Sequence, residues 1–105
     1  MDPRQLLEFV IDKADDIKAV DIVTLDMLEK SSITDYMVVC SGNSKRHVQS
    51  IANNVAMEAK AENLEIIGIE GQREGEWVLV DLGDVVLHVM QQSTREFYQL
   101  EKLWN

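Results

Sequence analysis

Near the N-terminus, apolar side chains recur every three or four residues. Leu6, Leu7, Val10, Ile11, Ala14 and Ile17 are interleaved with Glu8, Asp12, Asp15 and Asp16. That spacing lays one apolar stripe along an amphipathic helix. Asp2 and Pro3 open it, because an Asp carboxylate accepts the free N–H groups of a helix start and Pro suits the first helical position. The period then shortens. Residues 21–26 read as a strand, followed by a polar connection through Glu29, Lys30, Ser31 and Ser32. Residues 36–40, Tyr-Met-Val-Val-Cys, form a continuous apolar run of strand length, which predicts a central strand buried on both faces. Ser41-Gly42-Asn43 ends the run. Ser44 caps a second helix whose stripe is Val48, Ile51, Ala52, Val55 and Ala59, continuing to about Asn63.

Residues 64–69 predict a third strand and 71–75 a charged loop flanked by glycines. Two further strands, residues 77–81 and 84–90, are separated by Leu82-Gly83, which is the spacing of a two-residue hairpin. Ser93 and Glu96 have capping-box spacing and predict a last helix with Phe97, Leu100, Leu103 and Trp104 on its apolar side. Strands alternating with helices over 105 residues predict a single α/β domain spanning residues 1–105.

With Leu82-Gly83 as the turn, Trp77 faces His88, Leu79 faces Val86 and Asp81 faces Asp84 on one side of the hairpin, with Met90 on the same side. The other side carries Val78, Val80, Val85, Leu87 and Val89 and is the candidate core. The mixed side has two readings. An exposed Trp and Met rimmed by acids suit a protein-binding patch for a basic partner, the favoured reading, whereas in the other the last helix covers Trp77 and packs it with Phe97. Asp81 and Asp84 opposite one another would repel unless the turn is wider or a cation, such as a partner Lys or Arg, lies between them; alternatively one Asp caps the turn N–H groups. Tyr98 and Lys102, four apart, share a helix face, with Tyr98 either a partner anchor or a buried structural ring.

Composition narrows the function. A net charge of −9 disfavours direct, specific nucleic-acid binding, since phosphate contacts need Lys and Arg, and it favours a basic partner. Hydrophobic residues at 46% and charged residues at 28% suit a folded chain, and no apolar run is long enough to span a membrane. Asp2 and Glu8 stand where a signal peptide would carry positive charge and then an apolar stretch, so the expected location is cytoplasmic. One cysteine, Cys40, and two histidines offer no zinc-ligand spacing, and no metal or cofactor is expected.

An enzymatic alternative rests on Gly42-Asn43-Ser44, which lies where a strand meets a helix, the place a nucleotide-binding or nucleotidyltransferase-like enzyme cradles phosphate. Transfer chemistry of that kind needs paired carboxylates for magnesium, yet no acid follows Ser44 until Glu58 and no Asp-x-Asp occurs. Cys40 ends an apolar strand and reads as an inert thiol. His47 falls in the first turn of the second helix, exposed or locally bonded, and the Ser and Thr of residues 31–36 suit turn fixing. No catalytic residue is assigned.

Four blocks resemble the ribosomal silencing factor family: Lys30-Ser-Ser-Ile-Thr-Asp-Tyr36; Cys40-Ser-Gly-Asn-Ser44 with Arg46-His47-Val48; Trp77-Val-Leu-Val-Asp-Leu-Gly-Asp84 leading to His88-Val89; and Arg95-Glu-Phe-Tyr-Gln-Leu-Glu-Lys-Leu-Trp104. The resemblance runs nearly end to end. It implies a mixed five-stranded sheet with helices packed on it, in a nucleotidyltransferase-like topology without the catalytic site. It also implies binding to the large ribosomal subunit through ribosomal protein fourteen, obstruction of small-subunit joining, repression of translation when nutrients are scarce, and self-association as a homodimer away from the ribosome. On that resemblance the partner-binding set is Trp77, Asp81, Leu82, Asp84, His88, Met90, Tyr98 and Lys102.

Overall fold

The computed structural model describes residues 1–103. Trp104, which the spacing assigns to the last helix, lies outside the described residues. The elements follow in the order α1 (Pro3–Asp16), β1 (Val20–Asp26), β2 (Tyr36–Gly42), α2 (Lys45–Ala61), β3 (Gly68–Glu70), β4 (Trp77–Asp81), β5 (Val85–Gln91), α3 (Gln92–Tyr98) and α4 (Leu100–Leu103). One mixed sheet has the strand order β1-β2-β5-β4-β3, in which β2 and β5 run parallel and the other neighbours antiparallel. This is the single-domain α/β architecture that the pattern predicts.

Local chemistry sets the helix ends. Asp2 accepts from the Gln5 N–H at 2.8 Å while the Gln5 side chain accepts from the Asp2 N–H at 3.0 Å, a reciprocal cap at the start of α1. At the end of α2, Asn63 turns left-handed (φ 58°), Leu64 N–H reaches the Ala59 carbonyl at 2.9 Å and Asn63 N–H the Lys60 carbonyl at 3.0 Å. Lys18 closes α1 in the same way (φ 60°). Two orphan carbonyls are satisfied at each end.

Both helices lie on one sheet face. The α1 stripe Leu6, Leu7, Val10 and Ala14 and the α2 stripe Val48, Ile51, Ala52, Val55 and Ala59 pack with Val38, Cys40, Val78, Val80, Val85, Leu87 and Val89. The uniformly aliphatic hairpin side is therefore the main core. Central β2 is buried from Met37 to Gly42, as its unbroken apolar run predicts, because parallel β5 on one side and helices above leave it no solvent face. A second, smaller core on the opposite face joins Leu25, Met27, Met37, Val39, Met90 and Leu100.

Several expectations are corrected. The third strand is shorter than residues 64–69, occupying Gly68–Glu70. The hairpin turn is Gly83-Asp84, not Leu82-Gly83: Leu82 N–H bonds to the Val85 carbonyl at 3.0 Å, and Gly83 takes the left-handed φ of 86°. A tight hairpin with a left-handed first turn residue favours Gly at that place, and the earlier placement put Gly83 second. The register moves by two residues, so Trp77 pairs with Met90, Leu79 with His88 and Asp81 with Val86. Because side chains alternate with period two, this shift keeps every residue on its expected face.

The last helix also differs. It starts at Gln92 directly after β5, Gln91 makes no side-chain cap, and the chain breaks at Gln99 (φ 48°) into two short helices. Ser93 therefore falls inside the first turn, out of capping register with Glu96. The cause is tertiary: Gln91 is held by β2 at Gly42, by the Glu76 carbonyl at 2.9 Å and, through its side chain, by the Gly75 carbonyl at 3.0 Å, so the strand runs on to that point.

Candidate functional site

The mixed face of the hairpin is partly covered and partly open. Met90 is 0% exposed, sealed beneath α4 together with Leu100, and His88 and Leu82 are buried too. The expectation that Met90 lies bare is thus corrected. Leu82 joins the helix-side core, since its side chain points to the aliphatic face. Met90 and His88 support the face from within, whereas Leu82 lies on the opposite side of the sheet. On the mixed face Tyr98 remains open (53% exposed), with Trp77 and Asp81 half-buried; Asp84 and Lys102 are exposed, but the break at Gln99 puts Lys102 in a different helix from Tyr98, so the helix face expected to join them is lost.

Aromatic side chains build the open part. Trp77 packs against Tyr98 with ring centroids 5.0 Å apart and planes tilted by 51°, and Tyr98 meets Phe97 edge-on at 4.9 Å. Phe97, placed on the apolar side by helical spacing, is 80% exposed and Leu103 is also bare, while Leu100 of the same predicted stripe is buried, since the left-handed Gln99 splits the helix and the stripe with it. On its other side the Trp77 indole N–H donates to His88 Nδ1 at 2.9 Å. Trp77 and His88 are diagonal rather than directly opposite, since the corrected register sets Leu79 opposite His88. Burial pushes the His88 imidazole down to about 4.

Acids rim this face. Asp81 and Asp84 do not confront each other: Asp81 Oδ1 accepts from Gly83 N–H at 2.9 Å, and the Asp84 carbonyl receives both Asp35 and Tyr36 N–H groups at 3.0 Å. The Asp81 carboxylate thus fixes the turn. Glu70, opposite Leu79 across the β3–β4 ladder, is a further exposed acid on the same side. The short β3 strand gave too weak a periodic signal for its register to be read from sequence.

Arg95 anchors the aromatic segment and had no sequence signal, since buried arginines are uncommon. Its Nη1 donates to Ser41 Oγ at 3.0 Å and to the Val20 carbonyl at 3.4 Å, and its Nε pairs with Glu101 Oε2 at 2.9 Å. Burial would raise the Glu101 carboxyl, but its own backbone N–H and the Arg95 guanidinium together hold it below the usual carboxylate range. Four elements, α3, α4, β1 and β2, are thereby tied together at one point.

The loop considered for phosphate binding is closed by its own bonds. Asn43 N–H donates to His47 Nδ1 at 2.8 Å, Ser44 Oγ accepts from His47 N–H at 3.1 Å, and His47 Nε2 bonds to the Ile17 carbonyl at 2.7 Å. A Cβ at Gly42 would come within 2.8 Å of the Val48 backbone nitrogen, so strand and helix touch there. Burial drives the Cys40 thiol up to about 12, a setting in which it stays protonated. Ser31 Oγ accepts from Ile33 N–H and Thr34 Oγ1 donates to the Tyr36 carbonyl, both turn-fixing bonds. Among the described residues no helix is long and apolar enough to cross a membrane.

These features define a small α/β protein whose exposed chemistry is an aromatic, acid-rimmed face carried on a rigid hairpin. The family model described as "Ribosomal silencing factor during starvation" matches residues 1–105. A Haemophilus influenzae ribosomal silencing factor is 46% identical over 99 residues, covering 94% of this chain and 97% of the relative. A crystal structure of a Chromobacterium violaceum protein superposes with a TM-score of 0.97 at 41% identity, covering 99% of this chain and 87% of that one. A mouse protein named for mitochondrial assembly of the ribosomal large subunit is 36% identical over 87 residues, covering 80% of this chain and 38% of its own length. The chain belongs to the ribosomal silencing factor family, a class of regulatory, ribosome-associated proteins.

Proposed function

We propose that this protein silences translation without catalysis, by docking on the large ribosomal subunit and excluding the small one. The observation that carries this reading is the exposed Phe97–Tyr98–Trp77 cluster at the open end of the hairpin, on a sheet face that also carries Glu70 opposite Leu79 and Asp81 toward the turn. Aromatic rings with a charged rim are the composition of protein interfaces, where a few buried aromatics supply most of the holding energy. A net charge of −9 calls for a basic partner surface. On the family resemblance that surface belongs to ribosomal protein fourteen, and the action is cytoplasmic. Trp77, Tyr98, Lys102, Asp81 and Asp84 make direct contact, while His88 and Met90 hold the face in shape and Leu82 belongs to the helix-side core. The same patch pairs two copies when no ribosome covers it.

Mixing large and small subunits with the protein and following their joining by light scattering tests the mechanism. Joining should be blocked, with the protein recovered on large subunits alone. Trp77→Ala and Tyr98→Ala should each weaken co-sedimentation by roughly tenfold or more, the usual cost of truncating a central aromatic. Unimpeded joining would rule the mechanism out. A second reading, support of large-subunit assembly, is favoured by the mouse relative's name and uses the same face. It is separated by whether loss of the protein lowers the yield of mature large subunits in growing cells.

A further inference from the structure

Trp77 is gripped from two sides, by Tyr98 at 5.0 Å and by His88 Nδ1, which receives the indole N–H at 2.9 Å. An indole has one polar atom, a donor, and an imidazole nitrogen accepts only when it carries no proton. The bond therefore requires neutral His88 with its proton on Nε2. His88 lies mid-strand between Val39 of β2 and Leu79 of β4 with its side chain buried, so the packing around the ring holds it in place. Burial keeps it neutral near pH 7.

We propose that His88 is a positioning residue for the docking face: its Nδ1 lone pair holds the Trp77 indole inward and so sets the plane that the ring presents beside Tyr98. Without an acceptor, the buried N–H has to turn toward water, and the ring rotates with it. Tyr98 then loses the surface against which it is stacked. The aromatic stack is thus oriented by a histidine beneath it that the partner need not touch. This role rests on the docking reading above and specifies what makes that face ready to bind.

The test uses the full chain, purified bacterial large ribosomal subunits and four variants: Trp77→Ala, His88→Leu, His88→Gln and the Trp77→Ala/His88→Leu double. The Trp77 indole resonance, assigned by its loss in Trp77→Ala, should shift upfield in His88→Leu, with binding weakened roughly tenfold. Gln, whose amide oxygen can accept, should restore most of both. In the Trp77→Ala background, His88→Leu should add no further loss. His88→Phe gives a second acceptor-free side chain should Leu disturb folding. If Trp77→Ala weakens binding and the acceptor-free variants do not, the positioning role is wrong and docking stands. Equal losses in both backgrounds also overturn it, since His88 would then act independently of Trp77. If Trp77→Ala itself leaves binding unchanged, the docking reading falls and takes this role with it.

Discussion

At the scale of single residues, His88 links stability to acidity. In the folded chain its pKa is about 4, against an ordinary value of 6.5. As pH falls below 6.5 the unfolded chain takes up the proton while the folded one does not, so acid favours unfolding. Its contribution is complete above about 6.5 and is lost progressively down to about 4, amounting to a total on the order of 3 kcal/mol. Urea unfolding at pH 7 and pH 4.5 should show this loss in the wild type and a smaller one in His88→Leu, which has no imidazole to protonate. Equal acid sensitivity in both would assign the effect to carboxylates instead. Asp81 illustrates a different use of one side chain: its carboxylate holds the Gly83 N–H, and the repulsion expected between Asp81 and Asp84 does not arise.

Among the elements, the last two helices are the most conditional. With seven and four residues, α3 and α4 are far too short to be stable alone, and they hold their places through Arg95 and Leu100. Arg95→Ala should remove the bonds to Ser41 and Val20 and leave Glu101 without its cation, costing about 2–3 kcal/mol locally. Hydrogen exchange should speed up across residues 92–103 while β2 and β5 stay protected. A uniform rise over the whole sheet would mean that these helices are integral to the core. The hairpin beside them is set by Gly83, whose left-handed φ selects the turn and, with it, the register.

For the whole molecule, charge and shape act together. On the docking reading proposed above, the −9 net charge would attract a basic surface from a distance and the aromatic centre would govern how long the complex lasts. The association rate with large subunits should fall by roughly tenfold as ionic strength rises from about 0.05 to 0.5 M, with little change in the dissociation rate. Stopped-flow measurement separates the two. A salt effect confined to dissociation would place the charge contacts inside the interface rather than in the encounter.

The hydrophobic pattern by itself determined most of the architecture. The α1 and α2 stripes, the twice-buried run of β2 and the aliphatic side of the hairpin each state locally which face is dry, because burial period follows backbone geometry. Even the misplaced turn preserved the faces, since an even shift cannot exchange them. The open aromatic face could not be read in this way. Whether Met90 or Phe97 met solvent depended on where β5 ended and where α3 broke, and both were decided by distant partners: Gly42 and Glu76 for the strand, Ser41 and Val20 for the arginine that holds the helix. Sequence specifies a face through contacts between near neighbours, while tertiary structure decides exposure, because exposure depends on what the rest of the chain leaves uncovered.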